Sequence, residues 1–344
     1  MDPKILDGKW LSLQFERSIA NAVRCAVNTP SPSGTDAESA QVRRPPGLGV
    51  ILVGDNPASL AYVGRKEKVA KRCGFVTKEI RLSEKVSSQE LREVIDSFNE
   101  DREIDGILLQ LPLPHHLDSN VMLDRIHPSK DADGLHPLNQ GLLMRGDGLL
   151  RPCTPSGLMR LIDLAFAPVE PGTELDDSVD IFTHIPEKDL SGKRAVVIGR
   201  SILVGKAAAL LLLERNATVT VAHSKTADLS QVVQEADIIV AAVGREGFVT
   251  ADMVREGAIV IDVGINRNSS GKLVGDVAYE EVASKASAIT PVPGGVGPMT
   301  VIMLMLNTLK AYQDKAKLEG EGAKLEGEGA KLEGEGAKLE GEGS

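Results

Sequence analysis

Ser59, Tyr62 and Lys66 stand at offsets of three and seven in the segment Ser-Leu-Ala-Tyr-Val-Gly-Arg-Lys. At about 100° per residue those offsets are roughly 300° and 700°, so a hydroxyl, a phenol and an amine share one helix face. Such a set can move protons in a cleft. The competing reading is a solvated basic face. Arg65, Lys66, Lys68, Lys71 and Arg72 crowd the same stretch, and Glu67 precedes Lys71 by four residues, the spacing of an ion pair.

Other polar groups close apolar runs. Gln110 ends Ile107-Leu-Leu and precedes Leu111-Pro112, where a buried amide needs a partner. Lys130-Asp131-Ala132-Asp133-Gly134 places acid before a glycine turn, either to meet a ligand or to cap the loop. Pro291-Val-Pro-Gly-Gly-Val-Gly-Pro-Met-Thr300 is a rigid glycine-rich turn that suits close approach to a ligand or an interdomain hinge. The histidines show neither HxxxH nor HExxH spacing, and no metal site is expected.

A second constellation points to a nucleotide. Ala195-Val-Val-Ile-Gly199-Arg200-Ser201-Ile-Leu-Val-Gly205-Lys206 reads as strand, turn and helix start. Glycines permit the tight turn and close packing, and the helix amides can receive a pyrophosphate. The spacing departs from GxGxxG, so its context carries the reading. The next strand ends at His223-Ser224-Lys225. An NAD enzyme usually presents an acid there for the ribose 2′-hydroxyl. A hydroxyl and cations, including Arg200, suit a 2′-phosphate, so NADP is favoured.

The elements that must position these groups alternate strand and helix. Strands are expected over 48–53, 75–82, 104–111, 194–198 and 217–222. Helices are expected over 59–73, 88–99, 154–166, 205–215 and 296–312, the last folding back on the first domain. This is an α/β chain with two open parallel sheets. The boundaries fall at 1–150 for a catalytic domain, rejoined by helix 296–313, and 151–295 for a Rossmann-type domain. Residues 28–47 and 167–188, rich in Pro, Ser, Gly or acid, read as tolerated surface loops. AKLEGEG recurs four times from Ala316. Its glycine and sparse apolar content predict a disordered tail over 314–344.

Composition narrows the classes. The chain has 344 residues, 42% hydrophobic, 3% aromatic and 26% charged, enough for two cored domains. Net charge is −10, of which the four repeats, each with one Lys and two Glu, supply −4. With no Lys/Arg block, phosphate-neutralising nucleic-acid binding is not expected. No apolar run reaches membrane-spanning length, and the start lacks a signal or transit pattern. Three scattered cysteines read as reduced thiols. A cytoplasmic protein is expected.

Taken together, Tyr62-Val-x-x-Lys66, Gln110-Leu-Pro, Lys130-Asp-x-Asp133-Gly, Pro152-Cys-Thr-Pro155-Ser-Gly157, Gly199-Arg-Ser-x-x-Val-Gly205, Asp262-Val-Gly-Ile265-Asn, Gly275-Asp-Val and Pro291–Thr300 resemble the bifunctional methylenetetrahydrofolate dehydrogenase/cyclohydrolase family. The resemblance runs in order from about Ile5 to Tyr312. It implies a folate cleft between the two domains and a homodimer. By the same resemblance Lys66 is the catalytic amine, Tyr62 lines the aminobenzoate ring, Gln110 holds or tunes Lys66, and Asp133 binds the pterin's amino edge. Ser59, Leu111, Pro291 and Gly295 complete the implied folate contacts, with the Pro291–Pro298 turn closing over the substrate. Gly199, Arg200, Ser201, Gly205, Ser224 and Ile265 match NADP contacts. Ala207 departs from the pattern, standing where many members carry Pro.

The chemistry fits those residues. Hydride loss from 5,10-methylene-tetrahydrofolate leaves a stabilised methenyl cation and needs orientation more than acid or base. Water attack to give 10-formyl-tetrahydrofolate needs a proton acceptor, which a lysine becomes only when partly neutral. The rival readings are a dehydrogenase alone, a silent NADP-binding scaffold, and another two-domain NADP enzyme of the shikimate dehydrogenase type.

Overall fold

The computed structural model describes the backbone of residues 2–28 and 43–341, and side chains as far as residue 318. Most of the first insertion, 29–42, lies outside the described residues. The chain opens with strand β1 (Lys4–Ile5) and helix α1 (Gly8–Asn28), then alternates β2 (Gly47–Val53), α2 (Pro57–Arg72), β3 (Val76–Leu82), α3 (Ser88–Glu100) and β4 (Gly106–Leu109). The run Gly-Leu-Gly-Val-Ile-Leu-Val of β2 is buried at every position. That is the pattern of a central parallel strand covered on both faces, and β3 and β4 pair with it on either side, both parallel. Local signals set the helix ends. Asn56 accepts from the amides of Ala58 at 2.9 Å and Ser59 at 3.3 Å, and Pro57 occupies the first turn of α2. Gly74, at φ +84°, ends it. Ser87 and Glu90 form a reciprocal capping box on α3.

Short helices α4 (Ser119–Leu123) and α5 (Pro137–Met144) lead to α6 (Cys153–Phe166) and α7 (Ile181–His184). The second unit follows as β5 (Arg194–Ile198), α8 (Gly205–Glu214), β6 (Thr218–Ala222), α9 (Leu229–Gln234), β7 (Ile238–Ala241), β8 (Ile259–Asp262), the ribbon β9 (Asn266–Arg267) and β10 (Leu273–Val274), α10 (Tyr279–Ala283), β11 (Ala288–Ile289) and α11 (Val296–Gly341). Its sheet has the order β1-β11-β8-β7-β5-β6. Helix α6 is buried on nearly all sides, with Leu158, Leu161, Ile162 and Leu164 in one core with residues of both sheets and Arg160 paired to Asp163 within it. A helix so enclosed is the shared wall between the units.

One expectation needs correction. Strand β1 does not belong with residues 1–150; Lys4 and Ile5 pair with Ala288 and Ile289 at the edge of the second sheet. Two residues at a chain start carry no periodicity that could assign them to either sheet. Helix α11 folds back against α1, α2 and β4 as expected, and its backbone is helical to Gly341. Ala, Lys, Leu and Glu are good helix formers, and elongation from an anchored helix needs no new nucleus. The 167–188 segment is a surface loop as expected, interrupted by α7 and tied to the N-terminal residues. Lys4 Nζ donates to the carbonyls of Ala167 at 2.8 Å and Val169 at 2.7 Å, and Trp10 Nε1 donates to that of Thr173 at 3.2 Å.

Candidate active site

The phase of α2 separates its basic residues. Arg65, Lys68, Lys71 and Arg72 are exposed, while Ser59, Val63, Lys66 and Val69 are buried. Lys66 is only 3% exposed. Its Nζ donates to Gln110 Oε1 at 3.3 Å and lies 4.5 Å from the centre of the Tyr62 ring. Gln110 follows β4, its amide donating to the Ile51 carbonyl at 2.9 Å and its Nε2 to that of Leu111 at 2.5 Å. One oxygen of the Gln110 side chain is thereby directed at the amine.

Burial lowers the Lys66 pKa, against the upward pull of Asp133 and Cys153. Burial, aided by Asp133, raises that of Tyr62, which keeps the phenol protonated. Cys153 is pushed well above a thiol's ordinary value by burial and by Asp133. The amine is thus the group whose proton is loosened, by removal from water. Glu67 does not pair with Lys71. It meets Glu79 of β3, and this hydrogen bond with burial pushes its carboxyl up to about 7. A long-range strand neighbour has replaced the local partner.

The acidic loop divides its labour. Asp131, 2% exposed, accepts from the His136 amide at 2.7 Å and Asn139 Nδ2 at 2.8 Å, so it builds the loop. Lys130 Nζ is spent on the carbonyls of Phe98, Asn99 and Asp101. Asp133, half-buried, is left to act on Lys66, Tyr62 and Cys153. Gly134, at φ +71°, makes the turn, and a Cβ there would lie 2.3 Å from the Arg151 carbonyl carbon. Sequence reasoning missed Asn307 of α11. It is 4% exposed, and its Nδ2 donates to the carbonyls of Ala132 at 2.9 Å and Arg151 at 2.8 Å. It ties the acidic loop to the start of α6.

The Pro291–Thr300 turn packs on the N-terminus of α1, where the Lys9 amide donates to the Gly294 carbonyl at 3.0 Å. Gly295 donates to the Pro291 carbonyl at 2.8 Å. Leu111 is half-buried beside Gln110, and Ser59 lies buried on the same α2 face as Lys66.

On the second sheet, Gly199 follows β5 at φ +131°, and a Cβ there would lie 2.2 Å from the Ala242 carbonyl oxygen. A Cβ on Gly205 would lie 2.2 Å from the Gly199 carbonyl oxygen. Both positions therefore need glycine, and they bring the end of β5 and the start of α8 into close backbone contact. Ser201 Oγ accepts from the Val204 amide at 3.2 Å. Arg200, Ser224, Lys225 and Ile265 are all exposed around this turn and the neighbouring strand ends.

Two family models match this arrangement in order. Residues 6–133 match the catalytic domain of tetrahydrofolate dehydrogenase/cyclohydrolase, and residues 178–316 match its NAD(P)-binding domain. The chain belongs to this family. It is 51% identical over 266 residues to the bifunctional protein FolD of Streptococcus agalactiae, covering 77% of this chain and 86% of that one. The crystal structure of the bifunctional enzyme FolD from Campylobacter jejuni is 42% identical, with a TM-score of 0.77 over 90% of this chain and 99% of that one. The Trypanosoma brucei N5,N10-methylenetetrahydrofolate dehydrogenase-cyclohydrolase, solved with NADP cofactor and inhibitor, is 34% identical with a TM-score of 0.77 over 92% and 99%. The expected α/β fold, NAD(P)-binding domain and dehydrogenase/cyclohydrolase class are those of the family. Among the described residues no helix is long and apolar enough to cross a membrane.

Proposed function

We propose that this family member oxidises 5,10-methylene-tetrahydrofolate with NADP and hydrolyses the methenyl product to 10-formyl-tetrahydrofolate, with Lys66 as proton acceptor. The buried Lys66–Gln110 pair carries this reading. When bound, NADP supplies a hydride acceptor. The Gly199–Gly205 turn and the amides opening α8 would hold its phosphates, and Arg200 and Ser224 would take the ribose 2′-phosphate. Tyr62 and Asp133 hold the folate's aromatic and pterin parts, Ser59 and Leu111 line its bed, and Pro291 to Gly295 cover it.

In the hydrolytic step a water oxygen bonds to the methenyl carbon and its proton passes to the Lys66 amine. The bond from that carbon to N5 then breaks as N5 takes up a proton and the hydroxyl oxygen gives up its own, leaving the formyl group on N10 and a secondary amine at N5. The amine must be neutral as water attacks. Its burial favours this, and the positive charge of the substrate adds to the effect. The open edge of β3, where Val76 is 58% exposed, is a natural place for a second copy and supports a homodimer.

The test follows methenyl absorbance after methylene-tetrahydrofolate is supplied with NADP or with NAD. A transient rise with NADP is expected. A stable accumulation indicates a dehydrogenase alone, and silence with both nucleotides refutes the catalytic reading.

A further inference from the structure

Asp276 is wholly buried, and four N–H groups converge on its carboxylate. The amides of Val243 and Gly244 donate to Oδ2 at 2.6 and 2.9 Å. The amide of Arg245 and Nδ2 of Asn266 donate to Oδ1, each at 2.9 Å. Asp262 supports this acid from behind. Its Oδ1 accepts from the amides of Asp276 and Gly264, and its Oδ2 from that of Val277, all at 2.9 Å. The fit is close, since a Cβ on Gly264 would lie 2.2 Å from Asp276 Oδ1. Only a carboxylate presents two acceptor oxygens in this space; an amide presents one.

The place of the cradle gives it a use. The loop 243–245 leaves the end of β7, and Ala242 touches the Gly199 turn, whose missing Cβ would lie 2.2 Å from its carbonyl oxygen. The sheet runs β8-β7-β5-β6. With the phosphates over β5 and the 2′-substituted ribose beside β6, the other half of the dinucleotide extends over β7 and β8. The loops at the ends of those two strands, 243–245 and 264–266, are the ones that Asp276 joins.

We infer that Asp276 is a positioning residue for the dinucleotide, holding loops 243–245 and 264–266 in the shape that receives its nicotinamide half. The inference rests on the NADP reading above. It acts through backbone amides, so Asp276 itself touches neither cofactor nor substrate. A scaffold role alone would weaken both activities together. A positioning role falls on the one that uses the dinucleotide.

The test is Asp276→Asn, which keeps the shape but turns one acceptor into a donor facing two N–H groups. The KM for NADP should rise about tenfold or more. Hydrolysis of methenyl-tetrahydrofolate supplied alone, which uses no dinucleotide, should stay within about twofold of the parent rate. An unchanged KM, or a parallel fall of both activities, overturns the inference. Should Asp276→Asn fail to fold, Asn266→Ala removes one of the four donors and keeps the acid; the same selective rise, of about threefold, is expected. No change in KM there overturns it equally. Fluorescence titration with NADPH reads the same weakening even in a protein that hydrolyses nothing, so failure of the catalytic reading and failure of this inference remain distinguishable.

Discussion

Lys66 Nζ lies 3.3 Å from Gln110 Oε1, and the two residues are 3% and 8% exposed. The amine comes from the helix after the central strand and the amide from the end of its neighbour, so the contact closes across adjacent strand–helix units. It places a hydrogen-bond acceptor, without charge, against an amine removed from water.

Replacing Lys66 with Met should therefore slow hydrolysis of methenyl-tetrahydrofolate by about 10²–10⁴-fold, the usual cost of a lost general base. Oxidation of the methylene substrate should survive better, because it needs no proton acceptor. Separate assays of the two steps decide this; hydrolysis near the parent rate refutes the role. The melting temperature should be no lower than the parent's, since Met removes a desolvated amine from the core.

The pH profile carries a second expectation. Burial lowers the Lys66 pKa, and the working form is neutral, so hydrolysis should rise with pH through a limb below the ordinary lysine value of about 10.4. Gln110→Glu puts a negative charge beside the ammonium, which favours the charged form. The limb should then move upward by about one pH unit or more. A limb that stays in place in the variant would remove Lys66 from the titration.

Nucleotide choice is tested at the exposed turn. Arg200→Ser should raise the KM for NADP by about ten- to a hundredfold, the worth of a hydrogen bond to a charged group, and leave that for NAD nearly unchanged. Equal changes for both nucleotides would place Arg200 away from the 2′-phosphate.

Gly205→Ala tests the cradle itself. The added Cβ would sit 2.2 Å from the Gly199 carbonyl oxygen, so turn and helix must separate. A loss of about 1–3 kcal/mol in denaturant unfolding is expected, together with weaker NADP binding. An alanine variant as stable as the parent would show the packing to be looser than these contacts require.

What the sequence determined by itself were the features written within a few residues of one another. The shared face of Tyr62 and Lys66 follows from helical period, the buried strand from the run 48–53, and the tight turn after β5 from glycines between strand and helix. What only the tertiary structure decided were the environments. Lys66 is buried among exposed cations, Glu67 meets Glu79 and not Lys71, Asp131 is consumed by its own loop while Asp133 is not, and Asp276 gathers a loop some thirty residues away. Strand β1 pairs with residues far along the chain. Periodicity is a local property of the backbone. Desolvation and hydrogen-bond partnership belong to whatever distant segment packs alongside, and that is set only when the chain closes on itself.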